Sequence, residues 1–270
     1  MSVGVGTEQR RAAVATGGLR DHQVRVAFGG RHPSLPGEGN VSLVVGGGDP
    51  LAARRALLAE VGVGTDAAVV MEQVHGAAVA VVGRDDRGRG VREHDDAIAD
   101  VDALATFDDD VALLVMTADC VPVLVADPWG GVGVAHAGRA GVLAGVVPAL
   151  LDALAPRDPG ALVALLGPAI DGCCYELDAA SAEALAAAQP TAAARTTWGS
   201  PSADLRRAVA AQLAAAGVAR VEIVGGCTRC THPRHFSHRA EPGAGRHGSV
   251  IVRRRARGFV DGAPLPGTDR

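Results

Sequence analysis

The chain predicts an α+β fold in one domain, and three observations predict it. Strand-like segments outnumber helical ones, several follow one another directly, and the helices come in clusters instead of alternating with strands. Length alone, 270 residues, admits one large domain or two small ones. No stretch is rich enough in Pro, Gly or Ser to act as a linker, and no segment repeats, so one domain is expected. Hydrophobic residues make up 48% of the chain and aromatics 3%, so the core must be built from Val, Leu, Ala and Ile.

Residues 1–20 read as a poorly ordered lead-in. Residues 22–28 (HQVRVAF) alternate polar and apolar side chains, as a half-buried strand does. A loop rich in Gly and Pro follows, and 41–45 (VSLVV) is expected as a short strand. Asp49 is placed to cap a helix over 51–61, with Pro50 at its first position. Residues 67–71 read as a buried strand running into Gln73-Val74-His75. The acidic runs at 95–96 and 108–110 read as solvated turns, and strands are expected at 100–106, 111–117 and 121–126. After a turn at Asp127-Pro128-Trp129-Gly130-Gly131, a strand at 132–135 ends on His136. Residues 138–154 are apolar enough for one buried helix. A strand at 162–167, helices at 181–188 and 203–215, and strands at 221–224 and 249–253 complete the domain, bounded at 21–253. Residues 254–270 are basic, then rich in Gly and Pro, and read as a loose tail.

Bulk properties exclude several classes. A net charge of −4 leaves no electrostatic footprint for nucleic acid. The first residues lack the charged start and apolar centre of a signal peptide, and no apolar run approaches the roughly 20 residues that span a bilayer. Five cysteines at irregular spacing do not suit a secreted disulfide framework. The expectation is a cytoplasmic protein with neither nucleic acid nor membrane as partner.

Chemistry is concentrated at strand ends. His75 follows MEQV, His136 follows VGVA, and Cys120 stands between two apolar strands in TADCVP. A rigid strand aims such a group, and the adjoining loop leaves room for a ligand. Two imidazoles and a thiolate suit zinc, and three protein ligands leave a fourth position for water or substrate. Each residue also has an ordinary use, as a polar strand terminus or a small core filler.

Six segments extend this reading: QVHG (73–76), TADCVPVLVADP (117–128), VAHAG (134–138), GPAIDGCCYELD (167–178), CT (227–228) and FSHRAEPGAGR (236–246). In this order they resemble the signature blocks of the YfiH-like laccase-domain family, also called multicopper polyphenol oxidase or purine nucleoside phosphorylase. The resemblance runs from about Asn40 to about Val252. It implies a sandwich of mixed β-sheets flanked by helices, with zinc on His75, Cys120 and His136. It also implies phosphorolysis of adenosine, guanosine, inosine and methylthioadenosine, and deamination of adenosine. Some members are linked to peptidoglycan editing, and the older family name claims copper-dependent oxidation of phenols. Cys120 and His136 become the catalytic residues. Asp119 either orients a ligand or caps the turn. Asn40 and Tyr175 match positions near the family's site, and Arg239 and Arg246 are candidates to hold phosphate through their fork geometry.

The chain departs from that pattern twice. The usual HAGW-Arg-Gly is His136-Ala137-Gly138-Arg139-Ala140-Gly141, so Arg139 is expected to take over part of the missing arginine's role. The usual FFSY-Arg is His235-Phe236-Ser237-His238-Arg239. A Cu2+ cluster of the multicopper type uses His-x-His pairs, which this chain lacks, although a single Cys/His site also takes copper. Cys227, Cys230, His232 and His235 resemble a zinc finger's pairs. Fingers place about twelve or more residues between the pairs, whereas here only Thr231 intervenes. A solvated loop is expected there. Two further readings use the same residues: a hydrolase or deamidase with Cys120 as nucleophile and His136 as base, and a partner-binding protein that retains the metal.

Overall fold

The computed structural model describes residues 22–255, so the expected lead-in over 1–20 lies outside the described residues. The elements run β1 (His22–Phe28), α1 (Pro50–Glu60), β2 (Ala68–Val70), β3 (Val79–Val81), β4 (Ala103–Thr106), β5 (Ala112–Thr117) and β6 (Val121–Ala126). They continue with β7 (Val132–Ala137), α2 (Arg139–Ala144), α3 (Val146–Leu154), β8 (Val163–Leu166), α4 (Ala179–Ala188), β9 (Ala193–Arg195) and β10 (Pro201–Ala203). The last three are α5 (Leu205–Ala215), β11 (Arg220–Ile223) and β12 (His247–Arg255).

Two mixed sheets form a sandwich. One has the order β1-β12-β5-β2 and the other β11-β8-β6-β7-β4-β3, while β9 and β10 make a separate pair. Strands with both faces buried read as nearly continuous apolar runs, and neighbouring side chains here divide between two layers. In β5, Leu113 and Val115 pack between the sheets, whereas Leu114 turns out toward α1. In β6, Leu124 faces the other sheet, whereas Val123 and Val125 pack with Leu150 and Leu154 of α3 and Val209 of α5. Helices thus cover both outer faces. Fully burying each Leu or Val contributes about 1.5–3 kcal/mol, which lets a core nearly free of aromatics hold four layers. The fold is α+β in one domain, as the order of elements predicts.

The differences have identifiable causes. Residues 41–45 are not a strand. The Asn40 amide donates to the carbonyls of Ser42, Val45 and Gly47, and Ser42 Oγ accepts from the N–H groups of Val44 and Val45. Those local bonds wind the segment into turns despite its β-branched residues. The single helix expected over 138–154 is broken at Gly145, whose φ of 86° closes α2 and opens α3. Pro148 then falls in the first turn of the new helix, where a missing N–H costs little. The final strand reaches Arg255, because β1 pairs with it from Phe28↔Ser249 to His22↔Arg255. Residues 254–255 of the expected tail are therefore strand, and 256–270 lie outside the described residues. Asp109, expected in a solvated turn, is buried and pairs with Arg253 at 2.8 Å and His22 at 3.2 Å. Three-residue strands such as β3, β9 and β10 are too short to show a period.

Candidate metal centre

Backbone register brings the three donors together. The β6–β7 turn is closed by Asp127 N–H on the carbonyl of Gly131 and by Trp129 N–H on Asp127 Oδ1. It sets Val121 opposite Ala137 and Pro122 opposite His136. Cys120, one residue before β6, therefore lies beside the end of β7 that carries His136. His75 arrives from the segment after β2, with a φ of 64° that L-residues rarely adopt. Asp119, next to Cys120, has a φ of 91°. Strain of this kind clusters at functional sites, and here it flanks two donors. The donor atoms of His75, Cys120 and His136 all lie within 4.8 Å of one another, and the two imidazole rings meet edge to face at 4.6 Å.

Asp102 holds the arrangement. It directly precedes β4, which pairs antiparallel with β7, and its carbonyl accepts the N–H of His136. Its buried carboxylate faces Nδ1 of His136 at 2.8 Å and accepts the N–H groups of His75 at 2.9 Å and Gly76 at 2.6 Å. An ionised carboxylate only accepts, so His136 carries its proton on Nδ1 and presents Nε2 to the centre. Burial pulls the Asp102 carboxyl up, but the His136 ring and the two N–H groups outweigh it and hold the group below the usual range. Gly138 completes the packing. A Cβ there would stand 3.0 Å from Sγ of Cys120 and 3.0 Å from the His75 ring.

Cys120 and His136 perturb each other. Burial alone would raise the thiol, yet His136 and His75 beside it bring it down to about 6. Burial alone would lower His136, yet the Cys120 thiolate and Asp102 bring it up to about 9. Between those values the contact favours a thiolate beside an imidazolium in the metal-free pair. Zinc binding requires the thiolate and a neutral imidazole.

The centre opens on a cavity of about 500 Å³, a size typical of small-molecule sites. Tyr175, His238, Arg239 and Arg246 contribute to its lining. The Arg239 guanidinium lies 4.9 Å over the Tyr175 ring and donates to the carbonyl of Glu176. Arg246 is half-buried and braced by the carbonyls of Ala244 and Gly245. Arg139 opens α2 outside the lining, but its charge reaches Tyr175. Asn40 is buried behind the wall, where Oδ1 accepts the N–H of Arg246. Asp119 ties loops together: Oδ1 accepts from Thr228 Oγ1 at 2.6 Å and Oδ2 from the N–H of Arg239 at 2.7 Å.

Sequence reasoning missed Asp102, Gln73 and Arg54. Gln73 clamps both backbone groups of Met116. Arg54 lies fully buried with its guanidinium on the carbonyls of Val41, Gly90 and Val91, and burial lowers it to about 10. Arg54 falls on the same helical face as Leu57 and Leu58, and Asp102 stands just before an apolar strand, which were the available signals. Cys227 and Cys230, expected in a solvated loop, gather with Cys173 and Cys174, with Cys227 buried and Cys230 exposed.

A mixed-sheet sandwich with a His/Cys/His cluster at the mouth of a cavity, exposed at His75 and buried at His136, defines the class: a protein of the laccase-domain type. The family model described as multi-copper polyphenol oxidoreductase laccase matches residues 39–254, and the chain belongs to that family. A purine nucleoside phosphorylase of Streptomyces coelicolor is 45% identical over 206 residues, covering 74% of this chain and 82% of that one. An adenosine deaminase from an unknown prokaryotic organism is 34% identical over 200 residues, covering 70% and 76%. The crystal structure of YlmD from Geobacillus stearothermophilus superposes with a TM-score of 0.76 at 31% identity, covering 90% of this chain and 94% of that one.

Proposed function

We propose that the protein is a zinc-dependent purine nucleoside phosphorylase acting on adenosine, inosine, guanosine and methylthioadenosine, with adenosine deamination as a second activity. The observation that carries this reading is the convergence of three metal donors and two arginines on one cavity. The activities named for its relatives support it. His75, Cys120 and His136 would hold the zinc, and Asp102 fits the usual partner of a ligating histidine. Bound there, zinc supplies a Lewis-acidic position open to the cavity.

The protein's own residues do the rest. In phosphorolysis a phosphate oxygen bonds to the sugar C1′, the glycosidic C–N bond breaks, and the purine leaves with the electron pair and gains a proton. Arg246 and Arg239 face the phosphate, and Tyr175 offers an apolar ring beside Arg239. Asn40 and Asp119 are positioning residues, which fix the backbone of Arg246 and Arg239 respectively. Arg139 adds positive charge at the edge near Tyr175. The His/Cys/His set also takes Cu2+, so metal identity is one of the readouts. No described helix is long and apolar enough to cross a membrane, and we place the enzyme in the cytoplasm.

The thiolate–imidazolium pair of Cys120 and His136 favours one rival, a cysteine hydrolase or deamidase. Base release from a panel of nucleosides, with and without phosphate, tests the proposal alongside metal analysis. Release that needs both phosphate and zinc supports it. Turnover that survives full chelation and stops on alkylation of Cys120 supports the rival.

A further inference from the structure

Four of the five cysteines meet at a second place. Cys173 and Cys174 occupy the turn after β8, and Cys227 and Cys230 follow β11. All four sulfurs lie within 4.8 Å of one another. Cys173 is 3.7 Å from both Cys174 and Cys230, and Cys174 is 3.4 Å from Cys230. Four thiolates around zinc at about 2.3 Å form a tetrahedron with edges of about 3.8 Å. The observed separations are close to that edge. They are well beyond a disulfide bond.

The surroundings also fit a metal. Cys227 bridges Ala169 in parallel register, and Cys227 Sγ accepts the N–H of Asp171 at 3.4 Å. Arg206 pairs with Asp171 and donates to the carbonyl of Gly225, which braces both loops from α5. A zinc tetrathiolate carries net negative charge, and the Arg229 guanidinium lies beside it, 3.4 Å from the carbonyl of Cys174. The local apolar core is only Ile170 with Cys174 and Cys227, joined by partly buried Cys173 and Tyr175.

We propose that Cys173, Cys174, Cys227 and Cys230 form a closed, four-coordinate zinc site, separate from the centre at the cavity. Its position indicates its use. Cys174 adjoins Tyr175 in the cavity wall, and Cys227 adjoins Thr228, which holds Asp119 beside Cys120. A metal here clamps the loops that shape the substrate side of the cavity. Four protein ligands leave no open position, so the site is structural. Thiolate ligands select soft, tetrahedral ions, which separates it from a magnesium or calcium site.

Metal content and cobalt spectroscopy on the full chain test this. Protein from zinc-supplied cells should hold two zinc equivalents. The Cys120→Ser variant should keep one, and so should the Cys173→Ser/Cys230→Ser variant. Cobalt(II) added to metal-free Cys120→Ser protein should give the strong sulfur-to-metal charge transfer and visible bands of a tetrathiolate complex. That spectrum keeps the test decisive even if the double variant does not fold. A single zinc equivalent in the wild type, with the four thiols freely alkylated or joined as disulfides by mass, would overturn the proposal. So would a Cys120→Ser protein that binds cobalt without the sulfur bands.

Discussion

Asp102 and His136 are locked side by side across two antiparallel strands. The carboxylate is 2.8 Å from Nδ1, and the same group accepts the N–H of His75 at 2.9 Å. One buried side chain therefore sets the aim of two of the proposed metal donors. Asp102→Asn should keep the shape while losing the charge. Loss of such a partner costs about 10–100-fold in metal affinity. Competition with a chromophoric chelator should show that drop, and unchanged affinity would make Asp102 a purely structural group.

Gly138 is required for room. An added methyl would stand 3.0 Å from both Cys120 Sγ and the His75 ring, so one of the two must shift. Gly138→Ala is expected to lose zinc during dialysis that the wild type survives, with little change in melting temperature of the metal-free form. Equal metal retention in the two proteins would show that the centre can relax around the methyl.

The metal-free protein should show a pH window. Cys120 loses its proton above about 6, and His136 keeps its own up to about 9, so the ion pair stands between those values. The lowered thiol contributes stability that disappears as pH falls through about 6, and the raised imidazole contributes stability that disappears as pH rises through about 9. Alkylation of Cys120 after chelation should have its midpoint near 6 and move upward in His136→Ala. Zinc uptake inside the window should release the His136 proton, measurable in a weakly buffered titration. A midpoint at the ordinary thiol value would contradict the pairing.

Arg246 is the stronger of the two proposed anion contacts, because it is half-buried and its backbone is fixed by Asn40. A charge-assisted hydrogen bond contributes about 1.5–3 kcal/mol, which corresponds to roughly ten- to a hundredfold in affinity. Arg246→Ala should raise the phosphate Michaelis constant by about that factor while zinc content stays constant. Arg139→Ala should raise it less, and Ala140→Arg should lower it. If Arg139→Ala leaves the constant unchanged, Arg139 serves only to pack α2.

The cluster of His75, Cys120 and His136 was legible because each stands beside an apolar strand whose ends the pattern places well. Asp102 was not, since its role depends on β4 pairing with β7, a contact that local patterning does not encode. The same holds for Cys173 and Cys174, which the parallel pairing of β8 with β11 brings to the Cys227 loop. The break at Gly145 was hidden because its neighbours are apolar in either helix. At 41–45 the side chains of Asn40 and Ser42 outcompeted strand propensity.

Transfer of a nucleoside's sugar to phosphate is the reaction proposed for this centre. Phosphorus NMR of the zinc-loaded protein with inosine and phosphate tests it most directly. A sugar 1-phosphate signal should grow in step with hypoxanthine and be absent in Cys120→Ser. Hypoxanthine released while all the phosphate stays inorganic would contradict it.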